Sequence, residues 1–380
     1  MNFSWTAEQQ DLYDRALAFA RERLAPITAS PSPSVFRDSL RACGGFGVLG
    51  LCAPKQLGGL GLGALDTARV FEALGRGCSD GGVVFGAAAH LFACVMPIVE
   101  FGSEALQREV VPRLCSGVAV GANAITESEA GSDVFAMKSR VVKDGDHYLL
   151  SGTKSYVTNG PDADVFVTYG TLEPAHGHLG IVGFVVERSM PGITVGAPFE
   201  KIGLRSAPIS SVYFDSCRIP ATHRLGGEGQ GASVFTRSMH WERACLFGMY
   251  LGIMDRQLER TIAYVKDRRQ FGKPLFRQQA LAHRIADMKL RLESARLLLY
   301  RSCWKIDQGE DATLEIGLSK LAASEGAVQS SLDAIQIHGG NGVIEEIGIA
   351  QMLRDAVPST IFSGTSEIQR NIIARAMGLG

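Results

Sequence analysis

Three stretches of the chain crowd small residues, hydroxyls and backbone N–H groups together, which is the chemistry needed to hold a polyanion or the edge of a polar ring. The first is Asn123-Ala-Ile-Thr-Glu-Ser-Glu-Ala-Gly-Ser-Asp133. The second, Lys154-Ser-Tyr-Val-Thr-Asn-Gly160, repeats the theme on a strand running into a tight turn. The third, Ile361-Phe-Ser-Gly-Thr-Ser-Glu-Ile-Gln-Arg370, joins an apolar piece to a helix N-terminus, a place suited to phosphate or carbonyl oxygen. Each alone reads as an ordinary turn. All three in this order point to a site.

Other chemistries find little support. Gly45-x-Gly47-x-x-Gly50 matches the dinucleotide fingerprint by letter, but a helix precedes it and Ala53-Pro54 follows, where that motif needs a strand before and a helix after. It reads as a turn. Neither a Walker loop, nor His-Glu-x-x-His, nor Gly-x-Ser-x-Gly occurs. His90, His283 and His338 are scattered and read as satisfying local hydrogen bonds, so no metal is expected. Glu345 and Glu346 read as solvated.

The elements that must position these stretches follow an α, β, α order. Thr6-Ala-Glu-Gln9 has the form of a capping box, and Leu12, Ala16, Leu17, Ala20 and Leu24 recur at helical spacing until Pro26. Val35, Phe36 and Leu40 mark a second helix ending in the glycines after Cys43, and residues 103–114 a short one interrupted near Pro112. Residues 83–99 are apolar except for His90, fall just short of a membrane span and lack basic flanks, which suits a helix packed on all sides inside a large protein. From about Gly121, short runs rich in valine, tyrosine and phenylalanine alternate with Asp144-Gly145, Asn159-Gly160 and Pro191-Gly192, predicting a small antiparallel β barrel or sandwich. After the glycines at 226–231 the helical period returns in four segments, at 246–265, 285–299, 314–332 and 367–377, predicting a bundle. The fold class is α+β, with boundaries at 1–118, 119–226 and 227–380.

Composition bounds the function. The 380 residues are 46% apolar and 20% charged, ordinary for a globular protein, and 38 basic side chains nearly cancel 39 acidic ones for a net charge of −1. No basic field exists to hold nucleic acid or an anionic membrane, so neither is an expected partner. The eight cysteines lie far apart without a Cys-x-x-Cys pair, and the first six residues show no signal-peptide pattern; both suggest reduced thiols in a cytoplasmic protein.

Five motifs in order give the chain its resemblance to the acyl-CoA dehydrogenase superfamily, over its whole length: Ala124 to Asp133, Lys154 to Gly160, Arg268-Arg-Gln-Phe-Gly-Lys273, Gln336-Ile-His-Gly-Gly-Asn-Gly342 and Gly364-Thr-Ser-Glu-Ile-Gln-Arg370. The resemblance implies a helical domain, a β domain and a four-helix bundle, with non-covalent FAD. By motif position it implies that Asn123, Ile125, Thr126 and Ser132 border the flavin and its pyrophosphate, that Tyr156 and Thr158 line the isoalloxazine ring, and that Thr365 and Glu367 meet the cofactor from the last helix. It also implies that Arg268, Phe271, Gln279, Gln336 and Gly340 reach the FAD of a neighbouring subunit, hence a homo-oligomer, usually a tetramer. Ser128 departs from the family, standing where proline is common.

The larger departure is chemical. Many members carry their base immediately before the Gly-Thr pair, where this chain has Ser363, and a serine hydroxyl is far too weak to take a proton from the carbon beside a thioester. The resemblance places the base at Glu242 instead, as in isovaleryl-type members, beside Arg243, a substrate-binding position. Met239, Cys245 and Leu246 surround Glu242 on the helix, so its carboxyl is expected to be desolvated and its pKa raised. The competing reading is a structural pair with an arginine. The resemblance implies that the backbone N–H of Ser363 holds the thioester carbonyl, an oxyanion-type contact.

Residues 82–101, 238–247 and 288–299 carry a narrower resemblance, to the prolyl-carrier-protein dehydrogenases of pyrrole-forming pathways. It implies an L-prolyl group on a peptidyl carrier protein, oxidised to the pyrrole-2-carboxyl thioester, with oxygen or an electron-transfer flavoprotein taking the electrons. A short branched-chain acyl-CoA dehydrogenase shares the Glu242 placement and is the alternative. A catalytically silent flavin- or carrier-binding paralogue is the second.

Overall fold

A computed structural model describes residues 4–24 and 33–379. Met1 to Phe3, part of the segment read for a leader, and Pro26, the expected stop of the first helix, lie outside them. Helix α1 (Ala7–Arg23) starts on the expected capping box, in which the Thr6 side chain accepts the Gln9 N–H and the Gln9 side chain accepts the Thr6 N–H. Helix α2 (Pro33–Phe46) runs one residue past the glycine pair and stops before Gly47, whose φ of 96° makes the turn. The Gly45/47/50 motif is therefore a helix exit. Helix α3 (Ala64–Gly77) follows.

Helices α4 (Gly81–His90) and α5 (Met96–Phe101) form one rod through a π-helical turn at Leu91–Val95. This rod is apolar and long enough to cross a membrane, yet 89% of its most apolar window is buried inside the protein, where small residues let neighbours approach from every side. Its buried histidine is satisfied: His90 donates from Nε2 to the Leu114 carbonyl at 3.1 Å and accepts the Gly121 N–H on Nδ1 at 2.9 Å. Burial pushes its pKa down to about 4, so it is neutral. Helix α6 (Glu104–Cys115) runs on through Pro112, where an interruption was expected.

An eight-stranded sheet follows, built from β1 (Gly121–Ala124), β2 (Arg140–Asp144), β3 (His147–Thr158), β4 (Val165–Thr171), β5 (Ile181–Glu187), β6 (Ile193–Val195), β7 (Ile209–Pro220) and β8 (Arg224–Leu225). The path runs β6-β7-β3-β2-β4-β5-β8, with β1 on β4. It is antiparallel as expected except that β1 lies parallel to β4 and β2 meets β4 in parallel at Arg140 and Thr171. The valine-rich strands alternate between two cores. Val165, Val167, Tyr169, Ile181 and Val185 face the helices, while Phe166, Val182, Phe184 and Val186 face the interior of the β domain. A period of two serves both faces at once, which is why β4 is buried throughout.

The chain then returns to helix: α7 (Gly231–Trp241), a π-helical turn at Glu242–Leu246, and α8 (Gly248–Asp267). The two-residue strands β9 (Arg269–Gln270) and β10 (Lys273–Pro274) form a hairpin before α9 (Gln279–Asp307) and α10 (Thr313–His338). Helix α11 (Ile349–Ala356), which the periodicity reading did not anticipate, precedes α12 (Ser366–Ala376). The N-terminal helices and the bundle share one continuous core.

Candidate active site

Glu242 opens the π-helical turn between α7 and α8, and the π-helical turn of the apolar rod packs against it. A π turn shifts the side chains that follow out of α-helical register, a device common at functional sites. Glu242 is only 8% exposed, and its Oε1 accepts a hydrogen bond from the hydroxyl of Ser363. Burial raises its pKa; the Ser363 hydroxyl and then the charges of Arg243 and Lys320 oppose the rise. Arg243 donates from Nε to the Ser363 carbonyl at 2.7 Å, and among the described residues no arginine forms an ion pair with Glu242, the structural pair of the competing reading.

Ser363 sits just ahead of α12 with a φ of 55°, and its N–H has no acceptor among the described residues. Gln369, one turn into α12, donates to both the Ser363 carbonyl (3.3 Å) and the Gly364 carbonyl (3.0 Å). Thr365 caps the helix by accepting the Ile368 N–H at 3.3 Å. Under this turn lies an aromatic group absent from the sequence reading: the Phe362 ring lies tilted against Phe85 at 4.6 Å and Phe247 at 5.7 Å. Lys320 was also missed. Fully buried in α10, it holds the Ser359 carbonyl at 2.9 Å, lies 5.3 Å from the Phe247 ring, and has its pKa pushed down by burial to about 8. Only its place in an otherwise small, apolar helical run marked it.

The β side of the site comes from β1 and β3. Asn123 carries a buried Oδ1 with no hydrogen-bond partner, and Ile125 is buried beside it, its carbonyl accepting from Lys154 at 3.2 Å. The loop holding Thr126 is fixed by a buried pair: Lys154 Nζ meets Glu127 Oε1 at 2.8 Å, and Glu127 also accepts the N–H groups of Lys138 (2.6 Å) and Ser139 (2.9 Å). Ser155 donates to the Thr126 carbonyl at 2.8 Å, which aligns the first two motifs side by side. Thr158 closes β3, Tyr156 stands 64% exposed with a φ of 56°, and Ser132 is exposed on the loop. An orphaned buried oxygen at Asn123, a second at Ser366 beside Thr365, and an aromatic face left bare at Tyr156 fit a flat polar ring with an anionic tail. Glu367 is exposed on the first turn of α12.

The remaining motif residues gather elsewhere. Arg268 ends α8, Gln279 begins α9, and Gln336 and Gly340 flank the end of α10. The ring of Tyr264 stacks on His338 at 4.3 Å and its hydroxyl donates to the His338 carbonyl at 3.2 Å, joining the ends of α8 and α10. All five are exposed, Phe271 at 90% with a φ of 51°. Helix α8, 20 residues long, places roughly 30 Å between this surface and Glu242. One copy of the chain does not bring the two groups together.

The sequence matches the models of three acyl-CoA dehydrogenase domains: the N-terminal domain over residues 6–118, the middle domain over 122–217 and the C-terminal domain over 229–378. It is 57% identical to an L-prolyl-[peptidyl-carrier protein] dehydrogenase of Pseudomonas fluorescens over all of both chains. It is 37% identical to the mitochondrial isovaleryl-CoA dehydrogenase of Pongo abelii, over 97% of this chain and 88% of that one. Among solved structures, PigA with FAD and proline superposes with a TM-score of 0.96 at 42% identity, covering all of both chains.

Proposed function

The chain belongs to the acyl-CoA dehydrogenase family and is an oxidoreductase of its three-domain fold; from that premise we propose that it oxidises an L-prolyl group, held as a thioester on a peptidyl carrier protein, to the pyrrole-2-carboxyl thioester. The observation that carries the chemistry is the buried carboxyl of Glu242, set against the vacant base position now filled by Ser363. Full-length likeness to a prolyl-carrier dehydrogenase supports the acyl group.

FAD, when bound, supplies the hydride acceptor. Asn123, Ile125, Thr126, Ser132, Tyr156 and Thr158 would hold it from the β domain, and Thr365 and Glu367 from α12. Glu242 removes the proton from the carbon beside the thioester. Its raised pKa makes it a stronger base than an exposed glutamate, and the surrounding apolar wall keeps water from competing. As that proton leaves, the thioester oxygen gathers negative charge, and the unengaged N–H of Ser363 is placed to meet it. Arg243 contributes to substrate binding by anchoring the Ser363 carbonyl, which fixes where that N–H points. The prolyl ring gives up two pairs of hydrogens, and aromaticity favours the second loss.

Arg268, Phe271, Gln279, Gln336 and Gly340 serve the cofactor of a neighbouring subunit in a homo-oligomer of tetrameric type. Their distance from Glu242 and the bare Phe271 ring support this. Electrons leave to oxygen or an electron-transfer flavoprotein. Eight buried, unpaired thiols suit a reducing cytoplasm.

The deciding assay offers the enzyme prolyl-loaded carrier and isovaleryl-CoA separately, with mass spectrometry of each acyl group. Loss of four hydrogens from the prolyl group is expected. Oxidation of isovaleryl-CoA alone would establish the branched-chain alternative, which the likeness to the isovaleryl enzyme keeps in view. Glu242→Gln should retain FAD and lose reduction by substrate, a fall of roughly a hundredfold or more; retained turnover would show that the base lies elsewhere. Flavin binding with no reduction by either thioester, even in the parent protein, would mark a silent paralogue.

A further inference from the structure

Ser363 does more than offer its backbone. Three side chains from two elements converge on it: its hydroxyl donates to Glu242 Oε1, its carbonyl receives Arg243 Nε at 2.7 Å, and the same carbonyl receives Gln369 Nε2 at 3.3 Å. A φ of 55° is unfavourable for a residue bearing a Cβ, and persists only where surrounding bonds over-determine it. Here Arg243 and Gln369 do so, from the helix carrying the base and from the helix that Ser363 precedes. We propose that the Ser363 hydroxyl is a positioning residue for the base, aiming the Glu242 carboxylate by engaging Oε1 and leaving Oε2 toward the substrate carbon. The left-handed turn makes this possible, because it directs the N–H and the hydroxyl of one residue to two different reacting groups.

This deepens the proposed function and rests on Glu242 being the base. The charged and titratable groups facing the carboxyl are Arg243 on its own turn, Lys320 from α10 and Cys94 from the π-helical turn of the apolar rod. Burial holds the Cys94 thiol protonated, and the two cations stay in place when Ser363 changes. A hydroxyl donating to a carboxylate favours its ionised form, so its removal raises the pH at which Glu242 becomes a base.

Ser363→Ala removes the hydroxyl, and Ser363→Gly removes it while easing the positive φ. Substrate-driven flavin reduction should fall between about tenfold and a hundredfold in both, with KM little changed and the acid limb of the rate profile moved to higher pH. A readout independent of turnover is infrared titration of the holoenzyme. The carboxyl band absent from Glu242→Gln identifies this group, and its midpoint should rise in both serine variants. An unchanged midpoint in Ser363→Gly, or a glycine variant with the parent's rate profile, would overturn the positioning role. Retained turnover in Glu242→Gln would instead overturn the base assignment on which it rests.

Discussion

Two buried carboxyls show how position, more than residue type, sets chemistry in this protein. Glu242 is raised by burial yet engaged by a hydroxyl and backed by cations, so it can ionise and act. Asp355, 5% exposed near the end of α11, has a different balance: burial pushes it up to about 6 and the charge of Asp80 adds to the rise, while the Leu204 N–H, donating to Oδ1 at 2.6 Å, and the charges of Arg354 and Arg256 oppose it only in part. A carboxyl raised above its unfolded value contributes its stability fully below that value and loses it as pH rises through about 6. Asp355→Asn keeps an oxygen for Leu204 and removes the cost of ionising. It should therefore be more stable than the parent at pH 8, by up to about 3 kcal/mol, and show almost none of that gain at about pH 3. Differential scanning calorimetry at the two pH values checks this.

At the scale of elements, the cofactor loop depends on one buried ion pair. The Lys154 ammonium lies under the loop with no exposure, and Glu127 collects it together with two backbone N–H groups and the Ser139 hydroxyl at 2.6 Å. The pair joins β3 to the segment after β1, so the first two motifs move as one body. Lys154→Met would leave Glu127 buried without its cation, a loss of about 3–5 kcal/mol. The expected result is a lower melting temperature with early release of FAD, followed by flavin fluorescence during a thermal ramp. Both residues lie within quoted motifs, but nothing in their spacing says that they touch. The loop after β1 folds back onto β3, where Ser155 donates to the Thr126 carbonyl, and this brings residues 127 and 154 together; a sequence read one element at a time does not contain it.

At the scale of the whole molecule, the N-terminal helices and the bundle meet backbone to backbone. A Cβ added at Gly252 would lie 2.0 Å from the Glu72 carbonyl oxygen, and one at Gly75 2.0 Å from that of Met249, so α3 and α8 cross without side chains between them. Beside the crossing, Glu72 accepts from Arg296 at 2.8 Å and from the Tyr300 hydroxyl. Gly252→Ala must part the helices and should cost about 1–3 kcal/mol or more, read from the urea midpoint with unchanged cooperativity. Since Glu242 leads into α8, the variant should also slow turnover.

Local chemistry and periodicity were legible in the residues themselves: the capping box at Thr6, the valine-rich runs of β4 and β5, the buried character of the apolar rod, and the departure at position 363. These depend on interactions within a few residues, where side-chain type and backbone period suffice. The partners of Glu242 were not legible. Its hydroxyl donor lies 121 residues away, Lys320 comes from a third helix, and the left-handed turn at Ser363 exists only because Arg243 and Gln369 hold it. Long-range packing decides which of many similar polar groups meet, and that is a property of the folded chain alone.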